Sequence, residues 1–356
     1  HTLPVPRLGG IAVFAAFAGS VCGGRVLLKH LVPSSFHLYM PQPFTSVMVA
    51  AGMVFAIGVY DDLRGCSAWP KLMVEAAGAT ILFLSGVRIG AFPSLDSTIG
   101  TVLSYAITVL FVVAVTNGFN LIDGLDGLAA GSATFSAVAV AIVAGINHRG
   151  SLLLMVLGLA GVLLGFLRFN FSRATIFLGD SGSLFIGFVL SAAALSGAQK
   201  LPTSVGVVTT VMLFATPIVE VCLSVTRRSL GGRPIFSADR DHIHHRLLQL
   251  GFSQRQAVLA LYATSGGSAL LAVLLLYSDA RSAALVVMAF LTGTAVLIRK
   301  LEYEELREIY SLLALARARC WPLGRTELPN GEVGSQRAWI RNTSSAASSQ
   351  KIQLRL

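Results

Sequence analysis

Seven aspartates, Asp61, Asp62, Asp123, Asp126, Asp180, Asp239 and Asp241, fall in four polar stretches separated by long apolar runs. The first stretch, Gly58-Val59-Tyr60-Asp61-Asp62, ends in adjacent carboxylates. Such a pair at a membrane surface raises its own pKa values unless a cation compensates it, although alone it is equally a solvated turn. In the second stretch Asn117, Asn120, Asp123 and Asp126 recur at every third position, near one side of a helical or turn-like segment. Gly118, Gly124 and Gly127 between them would let backbone N–H groups approach a ligand. Capping the next helix needs one such side chain, not four in register. In the third, Asn170 precedes Phe177-Leu178-Gly179-Asp180-Ser181-Gly182-Ser183, where Asp180 either reaches a metal or caps the following helix.

The fourth stretch holds His242, His244, His245 and Arg246, preceded by Arg227, Arg228, Arg233 and Arg240. No cysteine stands at a structural zinc spacing nearby, and donor-rich His and Arg suit phosphate or pyrophosphate better. A solvated basic loop accounts for the arginines but not for three clustered histidines. Carboxylates for a divalent cation, donors for phosphate oxygens and glycines that admit a ligand together suit phosphoryl transfer.

The elements that must position these residues follow from composition. Of 356 residues, 54% are hydrophobic and 12% charged, against about 25% charged in soluble domains. That excludes a disordered chain and disfavours a water-soluble globule; it predicts an all-α, polytopic integral membrane bundle. Ten apolar runs are long enough to span: 8–28, 44–60, 72–89, 99–116, 127–146, 152–168, 181–198, 205–225, 258–277 and 282–299. Alternating sides then place loops 61–71, 117–126, 169–180 and 226–257 together, with 21 of the 27 lysines and arginines on that side. The positive-inside rule makes it cytoplasmic. The net charge of +10 is explained by anionic lipid, with no nucleic acid. The four scattered cysteines imply no disulfide framework. Residues 1–300 are expected to form the transmembrane catalytic domain, 301–320 a cytoplasmic amphipathic helix, and 321–356 a disordered tail.

The series Pro6-Arg7-Leu8-Gly9-Gly10, Asp61-Asp62, Asn117 to Gly127, Asn170 with Phe177 to Ser183, and His242 to Leu247 resembles the polyprenyl-phosphate N-acetylhexosamine-1-phosphate transferases, in that family's order. The resemblance implies transfer of a sugar 1-phosphate from a UDP-N-acetyl sugar to undecaprenyl phosphate. UMP would be released with Mg²⁺, or Mn²⁺, at a multi-pass bacterial inner membrane site facing the cytoplasm. It implies metal and catalytic roles for Asp180, Asp61 and Asp62, and substrate contacts by Asn117, Asn120, Asp123, Asp126, Asn170, His242, His244, His245 and Arg246. It also implies a homodimer and one further helix ahead of this chain, which opens at His1 without a methionine. The His-Ile-His-His-Arg-Leu order is similar to the GlcNAc-type branch rather than to the UDP-MurNAc-pentapeptide branch, which remains the alternative. A cation transporter is the rival from another class; it calls for ionisable residues at the bilayer midplane, whereas only Glu75 and Glu220 lie within runs, each near the cytoplasmic end.

Overall fold

The computed structural model describes residues 5–31, 42–90, 96–199, 201–230, 232, 234 and 241–301. Asp239, Arg233, Arg240, the helix expected over 301–320 (save Leu301) and the expected tail lie outside these residues. Every apolar run is helical, and no strand occurs among the described residues. The helices are α1 (Gly9–Leu31), α2 (Gln42–Arg64), α3 (Ala68–Leu84), α4 (Ser97–Ile122), α5 (Leu128–Ile146) and α6 (Gly150–Asn170). They continue with α7 (Gly179–Ala198), α8 (Thr203–Leu213), α9 (Ala215–Leu230), α10 (Ile243–Gln249), α11 (Gln254–Leu275) and α12 (Ala280–Lys300). Seven are long and apolar enough to cross a bilayer, and large apolar side chains such as Leu84, Leu110, Leu164 and Leu270 stay exposed on outer faces. Those faces suit lipid, and the molecule is a polytopic helical membrane protein.

The run at 205–225 differs from expectation. It breaks at Phe214 into α8 and α9, bent by 82°. Pro217 has no N–H for the Leu213 carbonyl, which a continuous helix would require. That carbonyl accepts the Ser136 hydroxyl instead, at 2.8 Å. Polar stretches expected as loops also prove to be helix ends: α4 runs on through Asn117 and Asn120 to Ile122, and α9 reaches Leu230. Phe119 and Ile122 explain the first extension, because both are buried and continue the packed face of α4.

α7 is the central helix. Residues Ser181 through Leu195 are all buried, against α1, α2, α4 and α5. Phe14 of α1 stacks on Phe55 of α2 at 4.0 Å and meets Phe185 of α7 edge-on at 5.2 Å. Near the first turn of α7 the contact is backbone to backbone. Gly9 and Gly10 donate to the carbonyls of Phe177 and Leu178 at 2.9 and 2.8 Å, and Phe177 donates to Pro6 at 2.8 Å. α2 crosses the same turn at Gly58, where a Cβ would lie 2.6 Å from Ser181 Cα.

Two ends of the bundle are distinct. The carboxylate stretches lie at one end. At the other, Asn147 donates to Gly197 and Asp96 and Asp279 are ordinary N-caps of α4 and α12, accepting from Thr98 and Ser282. Backbone at the Gly58 crossing cannot give way as a flexible side chain can. Gly58→Ala is therefore expected to cost about 1–3 kcal/mol and lower the melting temperature in detergent. Gly52→Ala on the same helix, with nothing within 4 Å of the added methyl, should leave it unchanged or raised.

Candidate active site

The end of α2, the end of α4, the turn before α5, the end of α6 and the start of α7 surround a cavity of about 310 Å³. Asp62, Asp123, Asp126, Asn170 and Asp180 line it together with Arg7, Gly124, Leu125, Phe177 and Gly179. Residues from five parts of the sequence thus meet in one place.

Each is held by a specific contact. The Asp62 carboxylate accepts from the backbone N–H groups of Asp180 and Ser181, at 2.8 and 2.9 Å. It serves α7 as an N-cap supplied by another helix. Gly179 makes this approach feasible: its φ is +73°, and a Cβ there would lie 2.2 Å from the Arg7 carbonyl and 2.7 Å from an Asp62 oxygen. Asp126 accepts from the Ala174 N–H at 3.0 Å. Asn170, buried, accepts from the Gly127 N–H and donates to the Ile176 carbonyl, each at 2.9 Å. It therefore holds the turn that carries Asp126. Asn120 donates to Ser183 Oγ at 3.0 Å and so ties α4 to α7.

Three participants carry no sequence motif. Lys71, in the first turn of α3, donates to Asp180 at 2.8 Å and to Asp61 at 3.0 Å, joining two carboxylates from α2 and α7. One turn on, buried Glu75 accepts from the Asn117 amide. Tyr262 of α11 donates to the Gly127 carbonyl at 2.6 Å. Lys71 and Glu75 share a helix face at i, i+4; Glu75 stands out as a carboxylate within the apolar run 72–89, whereas Lys71 and Tyr262 leave no such signal.

The histidines form a second layer. His244 is buried, and its ring lies over Gly124, where a Cβ would meet Nε2 at 2.1 Å. The ring centres of His244 and His245 are 4.2 Å apart, and those of His242 and His244 5.6 Å. Arg246 points elsewhere: its Nε donates to the Leu301 carbonyl at the end of α12, at 2.8 Å, and Nη1 donates to Gln249. The glycines likewise do more packing than ligand approach. Gly118 sits against Pro217 at the α4–α9 crossing, and Gly127, at φ +79°, against Phe171; of the three, Gly124 alone lines the cavity.

Electrostatically the cavity is acidic. Burial, with the charges of Asp180, Asp62 and Asp126 close by, pushes the Asp123 carboxyl well above the usual carboxylate range. A bound cation would relieve that repulsion. No three of His, Cys, Asp and Glu among the described residues are arranged to cage a metal. The donors are hard carboxylate oxygens around open space, which fits Mg²⁺: it takes one or two protein carboxylates and completes its shell with water and substrate phosphate.

Sequence comparison agrees with this geometry. Residues 44–198 match the model of glycosyl transferase family 4. The chain is 34% identical over 266 residues to a probable undecaprenyl-phosphate N-acetylglucosaminyl 1-phosphate transferase of Bacillus subtilis, covering 74% of this chain and 71% of the relative. It is 32% identical over 324 residues to the decaprenyl-phosphate N-acetylglucosaminephosphotransferase of Mycobacterium tuberculosis, covering 84% and 79%. An undecaprenyl-phosphate alpha-N-acetylglucosaminyl 1-phosphate transferase of Escherichia coli is 28% identical over 287 residues, covering 78% and 74%.

Two measurements test the site's construction. Asp62→Ala leaves two N–H groups of α7 without their acceptor and should cost about 0.5–2 kcal/mol of stability in thermal melts; Asp62→Asn, which keeps one acceptor, should cost less. Burial, aided by charge on His245 and His242, holds the His244 imidazole down to about 3, so the folded protein keeps it neutral. The unfolded chain binds that proton from about pH 6.5 downward. The His244 contribution is then fully present above pH 6.5 and lost as pH falls toward 3. His244→Phe should flatten the decline of melting temperature with acid over that window.

Proposed function

The chain belongs to glycosyl transferase family 4, and from that membership we propose that it transfers GlcNAc 1-phosphate from UDP-GlcNAc to undecaprenyl phosphate, releasing UMP. It is an enzyme of sugar-phosphate transfer embedded in a membrane. The observation that carries the finer reading is the convergence of Asp62, Asp123, Asp126 and Asp180 with Arg7 on one cavity at the end of a lipid-facing bundle. A soluble, phosphate-bearing donor can enter from water there while a lipid phosphate arrives along the bilayer. The names of the relatives, which specify N-acetylglucosamine and a polyprenyl phosphate, support the sugar and the acceptor. The bias of basic residues supports a cytoplasmic active face in a bacterial inner membrane.

On this reading the two adjacent aspartates have different roles. Both oxygens of Asp62 are taken by the N–H groups of α7, so Asp62 builds the site. Asp61 is part-exposed, pairs with Lys71 and lies within hydrogen-bond reach of Asp180, and on this reading it takes the proton from the lipid phosphate. An oxygen of that phosphate then attacks the β-phosphorus of the donor. The bond from β-phosphorus to the oxygen shared with the α-phosphate breaks, and UMP leaves with that oxygen. Asp180 would hold Mg²⁺, with Asp123 and Asp126 beside it; when bound, the ion offsets charge on the diphosphate. Lys71, already between Asp61 and Asp180, supplies a fixed positive charge next to the incoming phosphate. Asn170 and Asn120 keep the Asp126 turn and the α4–α7 contact in place, and the His244 layer closes the cavity over Gly124.

Purified protein given UDP-GlcNAc, undecaprenyl phosphate and Mg²⁺ should release UMP and form the lipid-linked sugar. EDTA should stop the reaction and added Mg²⁺ restore it. Asp180→Asn should reduce kcat by about a hundredfold or more; full activity in that variant removes its assigned role. UDP-MurNAc-pentapeptide should be a poor donor, and preference for it would transfer the assignment to that substrate.

A further inference from the structure

α9 carries a carboxylate with no part in the transfer step. Glu220 is fully buried, a costly location for a charge unless every oxygen is satisfied. Here donors surround it. His242 Nδ1 lies 2.7 Å from Oε1 and the Ile243 backbone N–H donates to Oε2 at 2.7 Å. Ser224 Oγ donates to Oε1 at 2.9 Å, and the Arg227 guanidinium stands 3.8 Å away. Two of these donors, His242 and Ile243, belong to the start of α10, across a gap of more than twenty residues in sequence.

We infer that Glu220 is a positioning residue for the donor substrate, acting through His242. The inference rests on the transfer reading above. Because a carboxylate accepts at both oxygens, His242 must carry its proton on Nδ1, the reverse of the tautomer a free neutral imidazole prefers. Nε2, which has no hydrogen-bond partner among the described residues, is thereby left as the ring's working atom. The same carboxylate fixes the backbone at Ile243, so α10 is docked at one angle and His244 is laid over Gly124 at the cavity wall. Carboxylate–histidine pairs that set a tautomer and ring orientation are a general device for aiming an imidazole at a ligand. The break before α9 is what makes the reach achievable, since a straight continuation of α8 would carry residue 220 along a different line.

Glu220→Gln tests this with little change in shape. An amide has one acceptor and one donor; its oxygen must serve the Ile243 N–H, so its NH₂ faces His242 and forces the proton to Nε2. ¹⁵N-histidine NMR of the detergent-solubilised protein, with His242 identified by its loss in His242→Gln, should show Nδ1 protonated in the wild type and Nε2 protonated in Glu220→Gln. In steady-state assays Glu220→Gln should raise the KM for UDP-GlcNAc about ten- to a hundredfold and leave the KM for undecaprenyl phosphate unmoved. Glu220→Asp, which keeps two acceptors, should recover part of the loss. In a His242→Gln background Glu220→Gln should add little further, since the two act as one unit. An unchanged tautomer, equal rises in both KM values, or full additivity overturns the role. If Glu220→Gln does not fold, a His242→Gln variant with a wild-type donor KM overturns it equally. A wild-type protein that transfers nothing from UDP-GlcNAc, yet whose tautomer still switches, overturns the donor assignment and upholds the link from Glu220 to His242.

Discussion

A helix buried on every side still begins with amide N–H groups that have no partner inside it, and they cannot be left dry. In α7 these groups sit at the floor of the cavity, and the surrounding structure can be read as the means of satisfying them. The Asp62 carboxylate from α2 takes two. The Pro6 to Gly10 segment clamps the residues just before them through three backbone bonds. Glycines at 9, 10, 58 and 179 allow that crowding, each at a point where a methyl would strike backbone or carboxylate. The positive end of the helix dipole, in turn, favours carboxylates close by, so the solution to a folding problem also concentrates negative charge around the cavity.

Concentrated charge has its own cost, and the structure spreads it. Asp61 and Asp180 share Lys71. Asp126 faces a backbone N–H. Burial, with the charges of Asp180, Asp62 and Asp126 nearby, holds the Asp123 carboxyl well above the usual carboxylate range. Adjacent residues in the chain thus find different partners, because about 100° of helix rotation turns Asp62 to α7 and Asp61 to Lys71.

The placement of α10 is set by a broken helix. Pro217 forbids a straight path from α8 to α9, a serine hydroxyl satisfies the orphaned carbonyl, and Gly118 lets α4 press against the proline. Glu220 is carried by the redirected segment and grips the start of α10. His244 then lies over Gly124 as a consequence of how α9 is aimed, and Arg246 falls on the end of α12.

Composition and apolar run length were enough to read an all-helical membrane protein, because in lipid every backbone group must be satisfied within a segment and run length alone marks it. Of the residues marked by spacing and by carboxylates in an apolar chain, Asp62, Asp123 and Asp126 line the cavity, whereas Asn117 and Asn120 tie helices together and Asp61 pairs with Lys71. Sequence gave no means of seeing that Asp62 would cap a helix 118 residues away or that Lys71 would lie between Asp61 and Asp180. Nor could it show that α8 and α9 would part at Phe214, or that Arg246 would turn from the cavity. Those outcomes depend on which helix faces meet, a matter of long-range packing and of desolvated charges finding partners. No local pattern encodes such pairings; they exist only once the bundle has closed.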